Sequence, residues 1–175
     1  MRKVILYIAC SLDGFIAKEG DDLSFLDAVA KEGEDYGYAE FVDSVDTVIM
    51  GRRTYEWVMS QVEEFPYAGK ETYIITRELR ESIGKVHFYS DDIETLIDRL
   101  KRREGRNLFI VGGAQVVKMV LDAGLMDEMI ISIVPVLLGD GIPLFSKGIP
   151  ASNLKLVSTR NFESGLVQFH YMFTR

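Results

Sequence analysis

Phe109 to Val117 reads FIVGGAQVV, an apolar run that ends in two adjacent glycines and resumes at once. If the run is a strand and its continuation a helix, unobstructed backbone N–H groups stand at a helix N-terminus, where the helix dipole also favours an anion. Glycine matters there because a diphosphate approaches the peptide closely only where no Cβ intervenes. The stretch is not a Walker loop, since Ala114-Gln115-Val116 follows the glycines where that motif needs Lys and Ser or Thr, and its spacing is not GxGxxG. Taken alone, Gly112-Gly113 serves close packing of a helix on a sheet equally well.

Met50 to Glu56, MGRRTYE, repeats the arrangement: strand end, glycine, then a helix start that Thr54 can cap, with Arg52 and Arg53 beside it. A further arginine, Arg77, follows Thr76 at the end of the next apolar segment. On one parallel sheet, strand-to-helix junctions share the edge at which such folds bind ligands. Three arginines and a threonine at strand ends suit a phosphate monoester such as the 2′-phosphate of NADP, because guanidinium forms bidentate bonds to phosphate.

These junctions need elements to hold them. Val4–Ala9, Thr47–Met50, Glu71–Thr76, Val86–Tyr89, Asn107–Val111 and Glu128–Leu138 read as strands, rich in β-branched and apolar residues. Ser11 to Gly14 reads as a turn, and residues 18–37 as a long acidic loop with one helical turn. Thr54–Gln61 is a helix with Trp57 and Val58 facing inward. Ser90 caps a second helix, on which Ile93, Leu96, Ile97 and Leu100 repeat at helical spacing. Val116, Val117, Val120 and Leu121 form the apolar stripe of a third, closed by Gly124. Leu154 to Phe173 reads as an antiparallel pair turning near Glu163-Ser164-Gly165. Strands alternating with helices and closed by a hairpin predict a single α/β domain with a mainly parallel sheet.

Composition narrows the function classes. Among 175 residues, 20 Lys and Arg against 27 Asp and Glu give a net charge of −7, which opposes a role on nucleic acid or anionic membrane. Any anionic ligand is therefore held by local arginines and backbone N–H groups. One cysteine, Cys10, allows neither an internal disulfide nor a paired-cysteine zinc site, so a reducing, cytoplasmic setting without metal is expected. The basic-apolar-cysteine start, Arg2 to Cys10, is too short and lacks the small residues of a cleaved signal. His87 and His170 have no partner pattern for a triad or metal, and Tyr36 and Tyr38 either pack or line a flat-ring pocket.

Five segments together resemble the dihydrofolate reductase-like superfamily, most closely the stand-alone relatives of the bacterial riboflavin-biosynthesis reductase domain. They are YIACSLDGFIA (Tyr7 to Ala17), VIMGRRTYE (Val48 to Glu56), YIITR (Tyr73 to Arg77), FIVGGAQVV and PVLLGDGIPLF (Pro135 to Phe145). The resemblance implies a central eight-stranded sheet flanked by helices, NADPH as cofactor, and hydride transfer to a pyrimidine, pteridine or ribosylamine-type heterocycle. It also implies roles for residues. Ala9, Ile16 and Ala17 match the nicotinamide side; Gly51, Arg52, Arg53 and Thr54 match the phosphate-binding turn. Thr76 and Arg77 match the 2′-phosphate contacts, and Gly112, Gly113, Ala114, Gln115 and Val116 the diphosphate cradle. Ser132 matches a hydroxyl that helps hold substrate, and an ungapped count back from Gly51 puts Asp35 at the catalytic carboxylate. The proton comes from water or from a carboxyl, Asp13 or Asp35.

Phe15 stands where the riboflavin reductases commonly carry a substrate-contacting lysine, and nothing here could bind the zinc of their deaminase half. Dihydrofolate reductase proper, and a non-catalytic NADP-binding module, are the competing readings. A homodimer is expected from the apolar strand Met129 to Leu138 and the habit of the family.

Overall fold

Val4, Leu6 and Cys10 pack to one side of the first strand, while Ile5, Tyr7 and Ala9 pack to the other, so this strand is covered on both faces. The computed structural model describes residues 1–78 and 80–174. In chain order the elements are β1 (Val4–Ser11), β2 (Phe15–Ala17), two 3-10 turns (Glu19–Asp21 and Ser24–Val29), α1 (Tyr38–Asp43), β3 (Val45–Gly51) and α2 (Arg52–Gln61). There follow β4 (Glu71–Ile75), β5 (Val86–Tyr89), α3 (Ile93–Lys101), β6 (Asn107–Gly112), α4 (Ala114–Asp122), β7 (Glu128–Val134), β8 (Ile142–Pro143), β9 (Leu154–Asn161) and β10 (Val167–Phe173).

Eight strands form one mixed sheet in the order β5-β4-β3-β6-β1-β7-β10-β9, and β2 pairs with β8 in a small second sheet. The first six of that order are mutually parallel; β10 returns antiparallel to β7 and β9 antiparallel to β10. Helices α3 and α4 cover one face, with Leu96, Ile97, Leu100, Val117 and Val120 fully buried. Each such side chain contributes about 1.5–3 kcal/mol by leaving water. The other face is an aromatic layer in which Phe41 from α1 stacks on Tyr7 and meets Phe109 edge-on. No described helix is long and apolar enough to cross a membrane.

Several expectations need correction. The long loop holds two 3-10 turns rather than one, which bury Phe25 and Val29. Short elements went unread: α1, β2 and β8 each span six residues or fewer. Asp92 rather than Ser90 caps α3, accepting from the Thr95 N–H at 2.8 Å. Helix α2 begins at Arg52, ahead of Thr54, and Trp57 and Val58 are only half-buried. β7 stops at Val134 and lies inside the sheet between β1 and β10, so its apolar character reflects burial on both faces and argues nothing about a dimer. The edge strand β9 is instead exposed along its whole length.

The opposite end of the sheet is fastened by a buried arginine. Arg2, 5% exposed, donates from Nε to Arg106 O at 2.6 Å, from Nη1 to Leu100 O at 3.2 Å and from Nη2 to Thr47 Oγ1 at 2.6 Å. It also pairs with Asp46, whose second oxygen accepts from the Arg106 N–H at 2.7 Å. One side chain thus ties the start of β1 to β3, α3 and the turn before β6. Arg2→Met leaves these acceptors without their donor and should lower unfolding free energy by about 2–4 kcal/mol. Urea denaturation with an unchanged m-value is the check, and a loss below about 1 kcal/mol would contradict it.

Candidate functional site

Because β1, β3, β4, β6 and β7 run the same way, their C-terminal ends meet along one edge. The register of β3 on β6 sets Met50 level with Gly112, so both chains leave the sheet together. Gly51 is the N-cap of α2 and Gly113 that of α4, and neither helix has a side-chain cap. Their first-turn N–H groups have no intrahelical partner and point out of the edge. A Cβ on Gly51 would lie 3.9 Å from both Gly112 O and Gly113 N, and one on Gly113 would lie 3.4 Å from Thr54 Oγ1. The two junctions are therefore in contact. Gly112 has φ +114°, a conformation that only glycine adopts readily, and the Gly112-Gly113 peptide is cis. Val116 is 3% exposed and backs on Gly51, whereas Gln115 faces solvent.

The arginines are more entangled than their spacing implies. Arg52 pairs with Glu78 and lies 3.6 Å from Glu56, while Arg53 is 2.7 Å from Asp21 in the first 3-10 turn. Arg80, which the sequence reading passed over, reaches Glu78 at 2.9 Å and Glu56 at 3.6 Å. Hydrogen bonds from Arg80 and Arg52 hold the Glu78 carboxyl below its usual range. Thr76 is 8% exposed and its Oγ1 accepts from the Glu78 N–H at 3.1 Å, which turns the chain after β4. Arg77 is exposed and, among the described residues, has no carboxylate within 4.0 Å.

Beside the junctions, one row of residues crosses four strands. Ala9 on β1 is level with Ser132 on β7, which is level with Gln168 on β10, which is level with Arg160 on β9. Gln168, 6% exposed, donates from Nε2 to Ser132 Oγ at 3.0 Å, Tyr7 Oη at 3.0 Å and Tyr36 O at 3.2 Å. Tyr7 in turn donates to Tyr36 O at 2.9 Å, and burial pushes its phenol up, so it stays protonated. Gln168 Oε1 accepts nothing from the described residues and is not sealed from solvent. Gln168 was missed because a glutamine in an alternating strand carries no motif; only its level with Ser132 marks it. Next to the row lies a cleft of about 340 Å³ lined by Lys31, Glu34, Tyr36, Phe162 and Ser164 among others. Tyr36 links the two, since its hydroxyl donates to Val29 O and hydrogen-bonds Ser164 Oγ at 2.8 Å.

Both carboxylates read as proton donors have structural tasks. Asp13 accepts from Ser11 Oγ at 2.5 Å, from the Leu138 N–H at 3.1 Å and from the Gly139 N–H at 2.7 Å. These bonds hold its carboxyl down at about 2, so it is ionised at neutral pH and a poor acid. It clamps the 138–141 turn over β2. In that turn Gly141, at φ +143°, approaches so closely that a Cβ would lie 2.3 Å from Ala17 O. The pairing of β2 with β8 keeps Ile16 half-buried and Ala17 buried beside the edge. Asp35 is exposed and caps α1: its oxygens accept from the Gly37 and Ala39 N–H groups, each at 2.9 Å, which holds it below the usual carboxylate range. Burial, aided by Asp13, pushes the Cys10 thiol up to about 11, which keeps it inert. No metal-binding group of acids, His and Cys occurs among the described residues.

This sheet order and edge define a dihydrofolate reductase-like α/β domain. The chain belongs to the RibD C-terminal domain family, whose sequence pattern matches residues 2–168. It is 42% identical over 179 residues to the uncharacterized protein YwjB of Bacillus subtilis (strain 168), with 98% of each covered. A solved protein from Shewanella sp. PV-4, whose name ties it to riboflavin biosynthesis, superposes with TM-score 0.90 at 29% identity over 99% of both chains. Dihydrofolate reductase from Enterococcus faecalis, solved with NADP(H), superposes with TM-score 0.70 at 19% identity, covering 99% of this chain and 97% of that one.

The Asp13 clamp has a pH signature. Its carboxyl is depressed in the folded chain, so the unfolded chain binds the extra proton and stability rises with pH between about 2 and its unfolded value near 4. Wild type should therefore lose Tm more steeply than Asp13→Asn as pH falls through that window. Parallel slopes in thermal melts would show that the clamp is absent.

Proposed function

We propose that the chain is an NADPH-dependent reductase that delivers hydride to a planar C=N or carbonyl-derived carbon of a pyrimidine, pteridine or ribosylamine-type substrate. The observation that carries this reading is the contact between two uncapped, glycine-led helix N-termini at one sheet edge, with the Ala9–Ser132 row beside them. The N–H groups at Gly51 to Thr54 and at Gly113 to Val116 would hold the diphosphate, whose charge they and the two dipoles complement. Arg77, an exposed arginine with no carboxylate within 4.0 Å among the described residues, would hold the 2′-phosphate beside Thr76.

Bound there, NADPH supplies the hydride; the chain supplies orientation and electrostatics. Ala9 has a side chain small enough to admit a flat ring against β1, and the paired β2 and β8 would close one side of that space. Ser132 and Gln168 would orient the substrate, the hydroxyl as donor or acceptor and Oε1 as acceptor for a ring N–H. With Asp13 and Asp35 engaged as caps, the proton would come from water at the site. The engagement of Asp35 also favours this reading over dihydrofolate reductase proper.

Calorimetric titration of wild type and Arg77→Ala tests the cofactor, and loss of NADPH absorbance with a panel of the three substrate types tests turnover. Arg77→Ala should weaken NADPH about 10- to 100-fold, the worth of a charge-assisted phosphate contact, and leave NADH nearly unchanged. Tight NADPH binding without oxidation across the panel would instead favour the binding module.

A further inference from the structure

The arginines that suit a phosphate at the β3–α2 junction are already engaged by this chain's own acids. Glu78 bridges Arg52 and Arg80, Glu56 lies 3.6 Å from both, and Arg53 is 2.7 Å from Asp21. Four guanidinium groups, counting Arg77, thus face three carboxylates, and the local excess is a single positive charge. Glu78 also sits at the Thr76-Arg77 turn itself, its N–H bonded to Thr76 Oγ1. A ligand phosphate held between Arg77 and Arg52 would therefore meet a carboxylate that is already paired with Arg52.

A 2′-phosphate carrying about −1.5 to −2 charges meets that carboxylate as a repulsive neighbour. A 2′-hydroxyl does not, and the same carboxylate can accept its hydrogen bond. We infer that Glu78 is a selectivity residue of the dinucleotide site: it competes with the 2′-phosphate for Arg52 and narrows the preference for NADPH over NADH. The inference rests on the reductase reading above. Exposed ion pairs are individually weak, so phosphate can displace Glu78; what the acid sets is the size of the preference.

The test is calorimetric titration of NADPH and NADH into wild type, Glu78→Gln and the double variant Glu78→Gln/Arg52→Ala, with thermal melts to confirm folding at this exposed position. Removing one charge a few ångströms from the phosphate at a protein surface should tighten NADPH by about tenfold and change NADH by less than about twofold. Adding Arg52→Ala should cancel that gain. Glu78→Gln that tightens neither dinucleotide, or both equally, would overturn the inference while NADPH binding leaves the reductase reading in place. A gain that persists without Arg52 would also overturn it. Binding of neither dinucleotide to wild type would overturn the reading and the inference together.

Discussion

Two strand ends lie side by side at one sheet edge and touch through positions that carry no Cβ; the rest of the site is arranged around that contact. The parallel register puts Met50 level with Gly112, Gly51 and Gly113 cap their helices without side chains, and both first turns are left with unused N–H donors. Such donors exposed at a sheet edge are an electropositive concavity, which suits an anion whether or not the chain is basic overall. A net charge of −7 and an anionic cofactor are therefore compatible.

The same acidity shapes the periphery. Acidic side chains reach most of the arginines that flank the edge, so their charge is shared before any ligand arrives. Around the Ser132 row the solution differs: Ser132, Gln168 and Tyr7 satisfy one another around the Tyr36 carbonyl, which makes a buried polar patch tolerable and leaves one acceptor, Gln168 Oε1, uncommitted among the described residues. Arg2 and Asp46 fasten the opposite end of the sheet, away from the two helix junctions.

Sequence periodicity made the sheet and the large helices legible because they are buried. Ile93, Leu96, Ile97 and Leu100 repeat as a stripe since one face of α3 packs on the sheet, and all four are buried. Both glycine junctions were legible for a related reason: a glycine at the end of an apolar run is a steric statement in itself. What local pattern cannot carry is pairing between distant segments. β2 is three residues long and exists through its partner at Ile142-Pro143, and Asp13 is defined by N–H groups at Leu138 and Gly139. Asp35 reads as catalytic when counted along the chain, yet its position two and four residues before the Gly37 and Ala39 amides makes it a helix cap. Gln168, Arg80 and Glu78 acquire their settings only when strands and turns are laid side by side.

Backbone amide NMR on isotope-labelled protein titrated with NADPH reads the two helix starts residue by residue, and so decides whether both of them hold the dinucleotide. Concurrent shifts are expected at Arg52, Arg53 and Thr54, at Gly113, Ala114 and Gln115, and at Arg77, with the far end around Arg2 and Asp46 unmoved. Shifts confined to one junction, or gathered instead around the cleft at Leu121, Met126 and Phe173, would contradict a dinucleotide held by both helix starts.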